Sequence, residues 1–187
     1  MQFKVEHIFG DIHVITPTVH KDCRGQFHET FNVKSLMETS LGDIMRPIAQ
    51  INHSFSKKGV VRGMHFQEDH PQAKTVMVTK GKVIDFIQDI RKDSPTFGMT
   101  YYQLLDDVDY KILYVPRGFS HGFIALEDSD FVYLCDEVRY AEDERGYNAQ
   151  PILNKYKQEW AEKIGIDIDD FVITVSERDI NLPVFEH

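Results

Sequence analysis

Short strand-like runs recur about every 8–12 residues from residue 1 to 138, with turn residues between them and no long helical period. FGDIHVITPTVH (9–20) reads as a strand broken at Pro17, and KDCRGQFHETFN (21–32) as a turn at Arg24-Gly25 followed by alternation. VKSLMETSLG (33–42) reads as a short helix ending in glycine. RPIAQINHSFS (46–56) and VVRGMHFQ (60–67) flank SKKG, which looks like a hairpin turn. KTVMVTKGKVIDFIQDI (74–90) reads as two strands about Lys80-Gly81. MTYYQLL (99–105) and YKILYVP (110–116) make a hairpin-like pair, and GFSHGFIALE (118–127) and DFVYLCDEV (130–138) complete the series. This spacing is that of an all-β sandwich or barrel. From 151 the period changes. Ile152, Tyr156, Trp160 and Ile164 recur every four residues, between Pro151 and Gly165, as on one face of a helix. DFVITVSERD (170–179) is a last strand-like run.

With 187 residues the chain suits one domain, a sandwich core over about 9–140 and a helical and tail segment over about 150–187. No apolar run approaches the ~20 residues of a membrane helix. No secretory leader is visible, and two cysteines do not make a disulfide scaffold, so a reducing cytoplasm is expected. The net charge of −9 argues against nucleic acid as the partner, because a phosphate-tracking surface is basic. A small anionic ligand would need a local cationic cluster.

His65 sits inside a strand-like run, sharing a face with Gly63 and Gln67 while Met64 and Phe66 point the other way. Alone it would more often be a hydrogen-bonded structural histidine than a functional one. Its neighbours shift the balance. Gln50 and Asn52, two apart, face one way, and a hairpin about SKKG would bring them to Arg62 and His65. Arg24, Arg62 and Lys74, with Arg178, form the cationic cluster. Several cations buried without carboxylate partners imply an anionic ligand.

PRGFSHGF (116–123) carries Pro-x-Gly-x-x-His, half of the usual cupin pattern. Metal-binding cupins add a His-x-His and a Glu on the earlier hairpin, where this chain has His65-Phe66-Gln67. One His and a Gln make a poor metal shell, so no metal is expected. The expected fold is all-β, a cupin-type double-stranded β-helix (jelly-roll sandwich) with a short C-terminal helical segment.

DCRGQFHETF, QINHSFSKKGVVRGMHFQ, KTVMVTKGKVIDFIQDIRKDSPTFG, VPRGFSHGFIALED, FVYLCDE and VSERD occur in this order. On these motifs the sequence resembles the dTDP-4-dehydrorhamnose 3,5-epimerase family, over about 9–140 and again near 172–183. The resemblance implies epimerisation of a nucleotide-linked 4-keto-6-deoxyhexose without metal or bound cofactor. It implies His65 as general base paired with Asp179, Tyr133 as the acid on the opposite face, and Lys74 beside the substrate oxygens. His121, Gln50, Asn52, Arg62, Arg24 and Glu29 match positions that hold sugar and phosphates. Tyr140 resembles an aromatic that stacks on thymine, with Glu144 nearby. The resemblance also implies a homodimer in which the stretch carrying Arg24 and Glu29 reaches the partner's site.

Three departures stand out. Arg178 replaces the usual Lys, YNAQPILNKYKQEW stands where a Trp-Asn-Asp segment is typical, and one extra residue lies between Tyr133 and Tyr140. All fall at the expected rim of the pocket, so a GDP- or CDP-linked sugar, or inversion at carbon 3 alone, are alternatives. A non-catalytic cupin that binds sugar nucleotides is the alternative of another class. Joint retention of His65, Lys74, Tyr133 and Asp179 speaks against it.

Overall fold

A computed structural model describes residues 2–186. The first strand, β1 (Phe3–His7), precedes the region where the pattern suggested one. Residues 8–12 are instead a turn into β2 (His13–Pro17), because Gly10 and Asp11 take left-handed backbone, with φ of 52° and 68°. β3 (His20–Asp22) and β4 (Gly25–Phe27) form a small exposed hairpin. The alternation of QFHETF stops being strand at Phe27. The helix expected over 33–42 is shorter: α1 (Val33–Met37) is capped by Asn32, whose side chain accepts from the Ser35 N–H.

The remaining strands follow the expected runs closely. They are β5 (Gln50–Ser56), β6 (Val60–Gln67), β7 (Lys74–Lys80), β8 (Lys82–Asp89), β9 (Thr100–Asp106), β10 (Ile112–Val115), β11 (Phe119–Ala125) and β12 (Ser129–Cys135). Their partners do not. One sheet has the order β1-β2-β10-β7-β12-β5. The other holds β6, β11, β8 and β9, edged by a short β13 (Glu144–Gly146). SKKG therefore closes no hairpin; the chain crosses there from one sheet to the other. The same crossing occurs at Lys80-Gly81 and between β9 and β10. Most core strands hydrogen-bond to neighbours distant in the chain, as β7 does to β10 and β12, while β1–β2 and β8–β9 pair in sequence. This is the jelly roll of the cupin type.

Three apolar layers follow. Val76, Val83, Ile87, Leu113, Phe123 and Phe131 fill the space between the sheets. The segment carrying Leu36 and Leu41 covers the outer face of the first sheet at Ile15, Met77 and Leu134. The helix read from the four-residue period, α2 (Gln150–Ile164), ends at Gly165 in the left-handed conformation and covers the outer face of the second sheet. No helix among the described residues is long and apolar enough to cross a membrane.

Trp160 anchors α2. It is fully buried, stacked 6.3 Å from Phe86 and edge-on to Tyr102 at 5.7 Å. Trp160→Ala is expected to cost about 3–5 kcal/mol of stability, read from the midpoint of a urea transition. Trp160→Phe is expected to cost much less, because the buried indole N–H has no hydrogen-bond partner among the described residues to lose.

Candidate active site

The site begins with an irregularity in β6. Against β11, His121 lies opposite His65 and Phe123 opposite Arg62, so two steps on β11 match three on β6. One extra residue is accommodated at Gly63-Met64, a β-bulge. Strict alternation would send Arg62 and His65 to opposite faces. The bulge turns both into the space between the sheets, and Val61 and Met64 both pack under α2. Gly63 is required there: its φ is +100°, and a Cβ would sit 2.5 Å from the His121 carbonyl oxygen.

The C-terminal segment completes the bulge. The run 170–179 is not a strand throughout. Only β14 (Thr174–Val175) pairs, in parallel, with Val60 and Val61 of β6, and α3 (Glu177–Ile180) follows. β13 pairs with residues 65–67 of β6. Between these two edge partners the Gly63 N–H is left over, and Asp179 Oδ2 accepts it at 3.2 Å. Asp179 Oδ1 lies 2.8 Å from His65 Nε2. The carboxylate is held in turn by α3, whose Asp179 N–H donates to Ser176 Oγ at 3.1 Å. Burial alone would raise the Asp179 pKa. The His65 hydrogen bond and charge and the Gly63 N–H outweigh it and hold it below the usual carboxylate range. An ionised Asp179 holds the proton of a neutral imidazole on Nε2 and leaves the Nδ1 lone pair unprotonated.

The facing wall comes from the first sheet. Tyr133 on β12 lies opposite Asn52 on β5, and Lys74 on β7 lies opposite Cys135 on β12. The Tyr133 hydroxyl bonds to no described residue, and burial raises its pKa, assisted by Cys135 and Glu144 against Arg62 and Arg139. It therefore keeps its proton at neutral pH. Burial lowers the Lys74 pKa, opposed by Cys135, Glu144 and Asp85. The cavity between the walls measures about 670 Å³, large enough for a nucleotide sugar.

Of the residues singled out from sequence, Asn52, Arg62, His65, Lys74, His121, Tyr133, Glu144, Arg178 and Asp179 line this cavity. Arg62 donates to Ser56 Oγ at 2.9 Å and to the Phe55 carbonyl at 3.1 Å. Gln50, Arg24, Glu29 and Tyr140 do not line it. Gln50 donates to Asn52 Oδ1 at 2.6 Å. Arg24 is exposed on the β3–β4 hairpin, paired with Asp22, and Glu29 accepts from Asn32. Tyr140 lies against His70, with ring centroids 4.3 Å apart and planes tilted by 33°, and its N–H donates to Gln67 Oε1 at 2.7 Å. Asn52, with Gln50 bonded to it, thus meets Arg62 and His65 across the cavity rather than along one hairpin.

Sequence reasoning missed two residues. Asp85 Oδ2 lies 2.8 Å from His121 Nε2, a second His–Asp pair, and its other oxygen is buried without a partner among the described residues. Burial raises the Asp85 pKa, with His121 and Lys74 opposing. A lone charge inside the apolar run VIDFI was the available signal. Arg139 also lines the cavity, joined through Nε to Glu144 at 2.6 Å. Among the described residues no group of three or more His, Cys, Asp or Glu side chains could hold a metal ion.

The sequence model described as dTDP-4-dehydrorhamnose 3,5-epimerase matches residues 6–187. The chain belongs to the dTDP-4-dehydrorhamnose 3,5-epimerase family. The motif resemblance is borne out, and the protein is an isomerase of the epimerase class. The dTDP-4-dehydrorhamnose 3,5-epimerase of Methanothermobacter thermautotrophicus is 38% identical over 172 residues, covering 88% of this chain and 85% of the relative. The dTDP-6-deoxy-D-glucose-3,5-epimerase of Legionella pneumophila, solved with dTDP-4-keto-L-rhamnose, superposes with a TM-score of 0.77. It is 30% identical and covers 99% of this chain and 100% of that one. ChmJ, a 3'-monoepimerase from Streptomyces bikiniensis solved with dTDP-quinovose, gives 0.75 at 29% identity, covering 92% and 83%.

Proposed function

We propose that this protein inverts carbons 3 and 5 of a dTDP-linked 4-keto-6-deoxyhexose, with His65 as base and Tyr133 as acid. The observation that carries this reading is geometric. His65, oriented by Asp179, enters the cavity from one sheet, and Tyr133 enters it from the other. A flat sugar ring between the sheets would meet a base on one face and a proton donor on the other. The carbons beside the ketone are weakly acidic. His65 Nδ1 removes a proton, the electrons of the broken C–H bond pass to the carbonyl oxygen, and an enolate forms. Lys74 offsets that charge in a partly dry site. Tyr133 then returns a proton to the opposite face, which inverts the carbon.

Inversion at carbon 3 alone is the second reading, favoured by the similarity to a 3'-monoepimerase. Proton exchange separates the two. With dTDP-4-keto-6-deoxyglucose in heavy water, followed by NMR, deuterium is expected at carbons 3 and 5. Deuterium at carbon 3 only would select the 3-epimerase, and none at all would direct the search to GDP- or CDP-linked 4-keto sugars.

The proposal extends to a homodimer. Edge strand β5 exposes Ile51 and Phe55 on the face turned away from the cavity, and the β3–β4 hairpin exposes Phe27 beside Arg24. A second copy covering these side chains would bring Arg24 and Glu29 to its neighbour's site. A monomer in sedimentation equilibrium at micromolar concentration would rule this out.

A further inference from the structure

Three permanently cationic guanidinium groups, Arg62, Arg139 and Arg178, line the cavity together with the ammonium of Lys74. Two carboxylates, Glu144 and Asp179, line it with them, an excess of two positive charges in a chain of net charge −9. Asp179 is committed to His65 and Gly63. Glu144 is shared: Oε2 lies 2.6 Å from Arg139 Nε and Oε1 lies 2.5 Å from Arg178 Nη1. One carboxylate therefore holds two guanidinium groups side by side at the cavity rim. Glu144 itself is mostly covered, while both arginines are about half exposed.

Arg139 is pinned at two points and open at the rest. Its backbone N–H donates to Gln50 Oε1 at 3.0 Å on the edge strand β5, and its Nε is taken by Glu144. Neither Nη1 nor Nη2 meets an acceptor among the described residues. A guanidinium fixed through Nε, with two amino groups free, can bind phosphate oxygens through parallel N–H donors. The neighbouring Tyr140 cannot share this role, because its ring lies on His70.

We infer that Arg139, held beside Arg178 by Glu144, is a diphosphate-binding residue, and that Glu144 is the counter-ion of the two arginines rather than a contact for the nucleotide. The inference rests on the reading of the substrate as a nucleoside-diphosphate sugar. A diphosphate diester carries two negative charges near neutral pH, which matches the excess in the cavity. While the cavity is empty, Glu144 limits repulsion between the guanidiniums and keeps them aimed inward. A bound diphosphate takes the N–H groups Glu144 leaves unused.

The test is calorimetric binding of dTDP, inorganic pyrophosphate and thymidine, none of which needs turnover. Arg139→Ala is expected to weaken dTDP and pyrophosphate about tenfold, the lower end of a charge-assisted hydrogen bond because the group is half exposed. It should also flatten the dependence of affinity on salt, leave thymidine unaffected, and show partial recovery in Arg139→Lys. Glu144→Gln removes the negative charge at constant size, and its affinity for pyrophosphate is expected to match or exceed that of the wild type. Unchanged pyrophosphate binding in Arg139→Ala would overturn the inference, as would an equal loss for thymidine. A tenfold loss in Glu144→Gln would overturn the counter-ion role. If the wild-type protein binds pyrophosphate yet exchanges no proton in any 4-keto sugar, the proposed activity falls while the role of Arg139 is still decided by these titrations.

Discussion

His65→Ala is expected to slow exchange of the ring protons with solvent by at least a thousandfold, at both carbon 3 and carbon 5. General-base removal typically costs about a hundred- to ten-thousandfold. The upper part of that range applies because His65 is the histidine that Asp179 orients in this cavity. His121 is committed through Nε2 to Asp85 on its own sheet, so it does not substitute from the same position. Nucleotide affinity should change little, since the cationic side chains remain. The substitution also leaves Asp179, 5% exposed, with the Gly63 N–H as its remaining donor from β6. A stability loss of about 1–3 kcal/mol should accompany it. His65→Asn restores a donor and should recover stability without recovering exchange. Wild-type exchange in either variant would remove His65 from the base role.

Tyr133→Phe is expected to separate proton removal from inversion. The base side of the cavity, on β6 and α3, is untouched, so deuterium should still enter the substrate at a substantial fraction of the wild-type rate. Net inversion should fall by about a hundredfold or more, because the far face loses its proton donor. The ring that remains still packs beside Phe131, at 6.0 Å, so the fold should tolerate the change. The informative measurement is the ratio of deuterium incorporated with retention to deuterium incorporated with inversion. A ratio equal to that of the wild type would make Tyr133 a packing residue.

Legibility differed by level. The strands from β5 to β12 were read within a few residues, because their apolar runs are bounded by glycine and charged turns. The helix α2 was read from Ile152, Tyr156, Trp160 and Ile164. β1 was missed because it precedes the first run read as a strand, and β13 is three residues long with no alternation of its own. Hairpins were inferred at SKKG and before β10, and a turn between strands at Lys80-Gly81, where the chain crosses between sheets. A turn signal reports that the chain reverses, and does not report which strand it will bond. Asp179 was found through its motif, yet it sits on a short helix rather than at the end of a strand.

What the sequence determined by itself was the run of strands from β5 to β12, the apolar periodicity that buries α2, and the candidate chemical groups of the site. These are local properties, set by side-chain alternation, by turn residues and by motifs a few residues long. The tertiary structure alone decided how those groups meet. A bulge at Gly63 turns Arg62 and His65 to one face although they are three residues apart. The crossing at SKKG puts Asn52 opposite them instead of beside them. The return of the C-terminal segment to β6 delivers Asp179 to the Gly63 N–H, between the stretches of β6 that pair with β14 and β13. Each depends on hydrogen bonds between residues distant in the chain, such as the 116 positions separating Gly63 from Asp179. No local pattern encodes those partners.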